Sequence, residues 1–230
     1  MKWQLIPIDS SIAEPDRELE KYINSFKEDV DRKYNTVICK FARKLTHPQR
    51  ETETELGNLI SDAFAEISET DIMLTGAGSI RIKEMGPLVT LKDAMTCFPY
   101  DDTLSRHTVT GIKLKKMFSH FMRPDNRNGE GECYQVNNRI KAVYDDNKKE
   151  LASLEFDGKP VEDDKPYKVC MQGYHYNNSK AYLDISNEEL LELNQSKVIS
   201  TSAQQVLLEY LRNHQNINSR IEDRLTYIKN

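Results

Sequence analysis

The sequence lacks a long apolar segment. No stretch approaches the ~20 consecutive apolar residues that a membrane-spanning helix needs. The start from Met1 to Pro7 is also not followed by the apolar run of a signal peptide. We therefore expect no membrane partner and either a cytoplasmic protein or a fragment of a longer chain, whose leader would precede Met1.

The sequence also has no excess of basic residues. It holds 32 Lys and Arg against 37 Asp and Glu, which gives a formal net charge of -5. Binding to a nucleic acid polymer depends on a concentrated basic face that releases counterions, so we expect no such partner. Hydrophobic residues make up 38% and charged residues 30% of the 230 positions, which is typical of one main globular domain.

Cysteine is scarce and unpaired in sequence. Cys39, Cys97, Cys133 and Cys170 are widely separated, and none forms a C-x-x-C pair. This spacing excludes a zinc knuckle and a dense disulfide framework, and it favours reduced thiols in the core.

Apolar residues at three- and four-residue steps predict an amphipathic helix over residues 14–34. The helix is either a connector that follows another domain or an ordinary N-terminal helix. We take residues 1–35 as the N-terminal or connector segment and 36–230 as the main domain.

The main domain mixes strand and helix patterns. An apolar face that includes Leu56, Ile60 and Phe64 predicts a helix, and Thr90, Thr110 and Ser202 are placed to begin three others. Alternating segments predict hairpins that turn at residues 137–138 and 157–158. This mixture favours an α+β fold over a doubly wound parallel sheet.

A glycine turn follows the apolar strand at residues 71–74. Gly76, Gly78 and Ser79 would let backbone N–H groups approach a ligand, and Arg81 offers a planar fork of donors to phosphate or hydroxyl oxygens. The turn is neither a P-loop nor a dinucleotide turn. Alone, it is equally typical of an ordinary tight turn.

Several motifs in a fixed order are more specific than the turn by itself. They are residues 53–63 (ETELGNLISDA), 76–81 (GAGSIR), 86–93 (GPLVTLKD), 98–104 (FPYDDTL) and 109–114 (VTGIKL). This set resembles the C-terminal domain of the 5'-nucleotidase and UDP-sugar hydrolase family, closest to a bacterial branch, over about residues 36–230. The resemblance implies a four-layer α/β/β/α sandwich that binds the nucleotide substrate.

In the family, a metallophosphatase domain with two divalent metal ions and a catalytic His-Asp pair precedes this domain. The resemblance therefore implies that domain as a partner in the same polypeptide. The histidines of this chain show no D-x-H, G-N-H-D/E or G-H-x-H run; they are His47, His107, His120, His175 and His214. We expect no metal site and no catalytic residue in this chain.

By position, Tyr100 and Tyr174 match the two aromatic residues that enclose the base in the family. Arg81 matches the arginine that closes the glycine turn and lies at the ribose or phosphate. Each tyrosine has a flat face on which a base can stack. Core packing is the alternative role for both rings.

The chain departs from the family pattern at three places. Gly76 replaces the asparagine at the head of the turn, which leaves Ser79 or the backbone to contact the base. An arginine expected at Thr52 is missing, and Arg50 is the candidate substitute. Lys180 replaces the aspartate that holds the ribose, and Asn177 and Asn178 are candidates for that role.

Two further alternatives stay open. His47 and His175 lie in predicted loops, where they either contact the ligand or serve the structure. The chain is either the substrate-binding part of a 5'-nucleotidase or a stand-alone nucleotide-sensing or protein-interaction module. A metal-independent hydrolase that uses His175 would need a nucleophile and an orienting partner, and the sequence offers neither.

Overall fold

The computed structural model describes residues 3–229, without the side chain of Glu130. The chain divides into two compact units, and the boundary lies between Thr36 and Val37.

The first unit contains helix α1 (Arg17–Tyr34). The Asp16 side chain caps the helix by accepting hydrogen bonds from the backbone N–H groups of Glu18 and Leu19, so the helix begins three residues later than the pattern predicts. Its apolar side chains, which include Tyr22 and Phe26, are exposed. Within the described part of the chain, no helix is both long enough and apolar enough to cross a bilayer.

The second unit mixes strands and helices. In chain order, its strands are β1 (Val37–Lys40), β2 (Leu45–Thr46), β3 (Ile72–Gly76), β4 (Glu84–Met85), β5 (Leu88–Thr90), β6 (Leu104–Thr110), β7 (Tyr134–Val136), β8 (Ile140–Asp145), β9 (Glu150–Phe156), β10 (Lys159–Pro160), β11 (Pro166–Gln172), β12 (Lys197–Ser200) and β13 (Leu225–Ile228). Its α-helices are α2 (Glu55–Ser68), α3 (Leu91–Cys97), α4 (Gly111–Phe121), α5 (Gly173–Asn177), α6 (Ser179–Leu183), α7 (Asn187–Leu191) and α8 (Ala203–Asn213).

A five-stranded sheet has the order β12-β6-β11-β3-β7, in which β11 and β3 are parallel and the other pairs are antiparallel. Helix α2 packs on β3 and β7. The Thr54 side chain caps α2 by accepting from the Gly57 N–H, and Leu56, Ile60 and Phe64 on its apolar face are fully buried.

A four-stranded sheet has the order β10-β9-β8-β13. Helix α4 contacts β9 of this sheet and β6 and β11 of the five-stranded sheet. One hydrophobic core therefore joins side chains from both sheets and α4, with Phe118, Tyr144 and Val169 among them. The predicted fold class, an α+β sandwich, is confirmed.

The hairpin predicted at residues 137–138 is wrong. Strand β7 pairs with β3, whereas β8 pairs with β9 in the other sheet. The Asn137 side chain explains why β7 pairs with β3 and not with β8. Its Oδ1 accepts from the Met73 N–H at 2.9 Å, and its Nδ2 donates to the Asp71 carbonyl at 3.1 Å. The hairpin at residues 157–158 is confirmed by the antiparallel pair β9–β10.

The three predicted helix starts are confirmed, but their caps differ. Thr90 and Asp93 form a reciprocal capping box, and Ser202 accepts from the Gln205 N–H at 3.1 Å. The Thr110 side chain makes no capping hydrogen bond, although α4 begins at the next residue.

Candidate functional site

The glycine turn lies at the end of β3, an inner strand of the five-stranded sheet. This strand is fully buried and apolar up to Thr75, and it continues into a 3-10 turn at Ala77–Ser79. The Ala77 N–H donates to the Cys133 carbonyl at 2.7 Å, and the Gly78 N–H donates to Glu132 Oε1 at 3.1 Å. The backbone of the turn is therefore held by the segment that leads into β7.

Gly76 lies against the imidazole of His175. A Cβ at position 76 would overlap Nε2 and Cε1 of that ring, so only glycine fits beside it. His175 is buried, its Nδ1 lies 3.1 Å from the Tyr134 hydroxyl, and its Nε2 has no hydrogen-bond partner among residues 3–229. Burial lowers the pKa of His175 to about 4, so the ring is neutral at pH 7.

A cavity of about 660 Å³ opens in front of the turn, a volume within the range of small-molecule sites. Its lining residues come from the turn, from the segments that precede α2, β6 and β7, from the end of β11 and from α5: Arg50, Gly78, Ser79, Arg81, Tyr100, Asp101, Asp102, Glu132, Gln172, Tyr174, His175 and Asn177.

The structure thus brings most of the predicted site residues to one cavity. Two of them do not line it. Gly76 lies behind His175. Asn178 caps the C-terminus of α5, where its Nδ2 donates to the Tyr174 carbonyl at 2.8 Å. Lys180 also lies away from the cavity, with its Nζ 2.6 Å from Asp184.

The two predicted stacking tyrosines are exposed. Tyr100 keeps 48% and Tyr174 keeps 53% of its surface accessible, whereas Phe98, two residues before Tyr100, is fully buried against Phe64. These exposures do not fit the alternative of core packing for either ring. The pairing of the two rings around a ligand stays a prediction.

Both ends of Tyr174 are held. Its backbone N–H donates to Asp102 Oδ2 at 2.6 Å, and its hydroxyl lies 2.9 Å from the Tyr182 hydroxyl. Asp102 Oδ1 also accepts from the Thr103 N–H at 2.7 Å, so this carboxylate orders the loop between Tyr100 and β6.

Positive charge is concentrated at two side chains of the cavity. Arg81 is exposed, its Nη1 donates to the Gly78 carbonyl at 3.2 Å, and its backbone N–H donates to the Cys97 carbonyl at 2.8 Å. Arg50 is half-buried, with its Nε 3.9 Å from Glu51 Oε1. A guanidinium binds phosphate and carboxylate oxygens through paired N–H groups, so the cavity is suited to an anionic group.

A carboxylate of the cavity that the sequence did not indicate belongs to Glu132. Burial raises the pKa of Glu132, although the Gly78 N–H and the charge of Arg50 oppose this rise. Asp101 and Asp102 directly follow Tyr100, so the motif that predicts Tyr100 as a site residue could also have indicated these two carboxylates. Nothing in the local pattern around Glu132 distinguishes it from other surface carboxylates, and only the fold brings it to Gly78.

Gln172, the last residue of β11, is hydrogen-bonded to the turn through its side chain. Its Oε1 accepts from the Gly76 N–H at 3.3 Å, and its Nε2 donates to Ser79 Oγ at 3.1 Å. His47, the other histidine considered for ligand contact, is buried outside the cavity with its Nδ1 2.8 Å from Thr54 Oγ1. Burial lowers the pKa of His47 as well.

The described residues provide no ligand set for a metal. No three His, Cys, Asp or Glu side chains between positions 3 and 229 cluster as metal ligands do. The resemblance assigns the two divalent ions to the metallophosphatase domain and not to these residues.

Sequence comparison identifies the family. The family model described as "5'-nucleotidase, C-terminal domain" matches residues 34–184. A search of curated proteins gives no match to this sequence.

Solved structures share the fold over nearly the whole chain. A 5'-nucleotidase precursor of Thermus thermophilus aligns with a TM-score of 0.71 and 17% identity, and covers 94% of this chain and 44% of its own. The NAD nucleotidase of Haemophilus influenzae gives 0.67 and 16%, with 94% and 42% covered. The sulfate thiohydrolase SoxB of Thermus thermophilus gives 0.66 and 15%, with 93% and 39% covered.

This chain thus spans less than half the length of these solved structures. At such identities the similarity shows a shared fold, while the family model covers well over half of the 230 residues. The chain belongs to the 5'-nucleotidase C-terminal domain family.

Proposed function

We propose that this chain is the nucleotide-binding domain of a 5'-nucleotidase. The base stacks between Tyr100 and Tyr174, and the ribose and phosphate lie toward Arg81 and Arg50. The observation that carries the proposal is the 660 Å³ cavity, which combines two exposed tyrosine rings with two guanidinium groups.

The aromatic part of the cavity supports a base as ligand. Each exposed tyrosine ring offers a flat face to the cavity, and a planar base is the ligand that gains most from two flat faces. Stacking on one face contributes on the order of 1–3 kcal/mol per base.

The polar part of the cavity supports selection of a nucleotide over other aromatic ligands. Arg81 and Arg50 attract a phosphate, and the turn from Gly78 to Ser79 brings backbone close to the ligand. Asn177 at the end of α5 offers an amide to ribose hydroxyls.

We assign hydrolysis to a metallophosphatase domain of the same polypeptide, which would carry two divalent metal ions. This chain would bind and orient the nucleotide, and the partner domain would supply the metal-activated water. Residues 1–35 would then form the connector and residues 36–230 the substrate-binding domain. The coverage of less than half of the related structures supports this assignment.

A panel of ligands tests the proposal. Isothermal titration calorimetry or NMR should detect the binding of AMP and adenosine to the 230-residue chain. AMP should bind more tightly than adenosine, because only AMP carries a phosphate that the arginines can bind. Ribose 5-phosphate lacks the base and should bind more weakly than AMP. Equal affinity for AMP and ribose 5-phosphate would contradict the stacking site.

The stand-alone nucleotide-sensing or protein-interaction module is the alternative. It shares the ligand site but requires no metallophosphatase domain. Sequencing the coding region that precedes Met1 separates the two, because a metallophosphatase domain encoded in the same frame is expected only for the enzyme.

A further inference from the structure

The hydroxyl of Tyr174 is held although its ring is exposed. The ring has more than half of its surface accessible, so packing alone restricts it little. Its hydroxyl nevertheless lies 2.9 Å from that of Tyr182, and the ring centroids are 6.0 Å apart. Together with the bond from its backbone N–H to Asp102, this contact fixes Tyr174 at both ends.

Tyr182 is itself well anchored. It lies on α6 between Ser179 and Leu183, both of which are buried. The Ser179 hydroxyl donates to the Ile185 carbonyl at 2.8 Å, and the Ala181 carbonyl lies 3.1 Å from Nε2 of His120 on α4. The Tyr182 hydroxyl is therefore a fixed point against which an exposed ring can be oriented.

The hydrogen bond also affects the titration of Tyr182. The hydrogen bond to Tyr174, followed by burial, raises the pKa of Tyr182 to about 12. A bond that raises the pKa favours the protonated hydroxyl. The protonated form of Tyr182 is therefore the one that pairs with Tyr174, whichever hydroxyl donates.

We propose that Tyr182 is a positioning residue, which holds the Tyr174 ring in the orientation that receives a base. The proposal rests on the proposed function and deepens it. Ordering an exposed side chain costs conformational entropy, and a hydrogen bond made before the ligand arrives removes part of this cost from binding. Tyr182 does not line the cavity, so it acts through Tyr174.

Adenosine titration of the full chain tests this role. Tyr182→Phe keeps the ring and removes one hydroxyl, and it should weaken adenosine binding roughly two- to tenfold, the range for one hydrogen bond. Tyr174→Phe removes the same bond from the other side. The double variant Tyr174→Phe with Tyr182→Phe should therefore bind about as each single variant does, which is the signature of a coupled pair.

Tyr176→Phe is the matched control. Tyr176 lies on α5, close to Tyr174 in sequence, but its ring stacks on His107 at 4.8 Å between centroids. Loss of its hydroxyl should leave adenosine affinity unchanged. A fall in affinity as large as that of Tyr182→Phe would overturn the specific role of Tyr182.

A spectroscopic titration gives an independent readout. Tyr182 and Tyr210 should both titrate near pH 12 in the parent chain, the second because of burial. In the ultraviolet absorbance of the tyrosinates, Tyr174→Phe should move one of these two groups toward the ordinary tyrosine pKa of about 10 and leave the other in place. An unchanged titration in Tyr174→Phe would overturn the hydrogen bond on which the role depends.

The two failures can be told apart. If the parent chain does not respond to adenosine, the proposed function and the role of Tyr182 fail together. If the parent binds adenosine and Tyr182→Phe binds it equally well, only the role of Tyr182 fails.

Discussion

The imidazole of His175 fills the space that a side chain at position 76 would occupy. Gly76 is the last residue of β3, and His175 lies on the short helix α5, which also carries Tyr174. The lack of a side chain at 76 thus permits α5 to approach the glycine turn. It brings one of the two exposed tyrosines to the same cavity as Arg81.

Gly76→Ala should disturb this approach. Its Cβ would overlap the His175 ring, and we expect a loss of about 1–3 kcal/mol in the free energy of unfolding from overpacking. Denaturant unfolding measures it. Gly78→Ala is the control, since its Cβ would lie 3.2 Å from the flexible end of Glu132 and should cost less. If Gly76→Ala costs as much in a His175→Ala background, the clash is not the cause.

Acidification should destabilise the fold through its buried histidines. Burial lowers the pKa of both His107 and His175 to about 4, whereas the unfolded chain titrates near 6.5. Below pH 6.5 the unfolded state binds more protons, so stability falls as pH falls toward 4. Each ring should cost about 2 kcal/mol at pH 5 relative to pH 7.

The variant His107→Gln checks this prediction by denaturant unfolding at both pH values. It removes one titrating ring, so the difference in stability between pH 7 and pH 5 should shrink by about 2 kcal/mol. An unchanged difference would show that His107 does not carry the effect, whatever the variant does to stability at pH 7.

The fold was predictable where the pattern is local. The apolar face of α2, the capping box of Thr90 with Asp93 and the turn at residues 157–158 each follow from a few adjacent residues. The pairing of β7 with β3 could not be predicted in this way. Asn137 is typical of a hairpin turn, yet its side chain accepts a hydrogen bond from the backbone of β3. A contact between residues so far apart in the chain leaves no local signal.

The site could be predicted only where its residues lie in local sequence motifs. Arg81, Tyr100 and Tyr174 lie in recognisable motifs, and they do line one cavity. The places of Glu132 and His175 depend on which strand neighbours which, and no spacing along the chain encodes that. The sequence predicts that the backbone of Gly76 approaches the ligand, whereas in the structure Gly76 makes room for the His175 ring.

Arg81→Lys should weaken AMP binding about tenfold while leaving stability within ~0.5 kcal/mol, because lysine keeps the charge but loses the planar pair of donors. The Arg81 side chain is exposed and donates to one carbonyl, so little of the fold depends on it. Titration calorimetry with AMP and thermal unfolding provide the two readouts. Arg212→Lys, an exposed position on α8, is the control. A large drop in melting temperature would instead mark Arg81 as a structural brace.

The purified chain should not hydrolyse AMP or UDP-sugars when manganese, zinc or cobalt is added. Side chains in the described range form no metal-ligand cluster, so these ions find no site that could activate water. Phosphate release is the measurement. Metal-dependent turnover that follows the protein through purification and disappears in His175→Ala would contradict this expectation.

The central claim is that a base stacks between Tyr100 and Tyr174, an arrangement that we call the aromatic clamp. NMR titration with adenosine and AMP tests it most directly. Tyr100→Ala and Tyr174→Ala should each weaken binding roughly tenfold or more, since one stacking face is worth on the order of 1–3 kcal/mol. Tyr→Phe at either position keeps the ring and should have a smaller effect. The account predicts that adenosine shifts resonances near both tyrosines in the parent chain. If no resonance near Tyr100 or Tyr174 moves, or if both alanine variants bind as the parent does, the clamp does not exist.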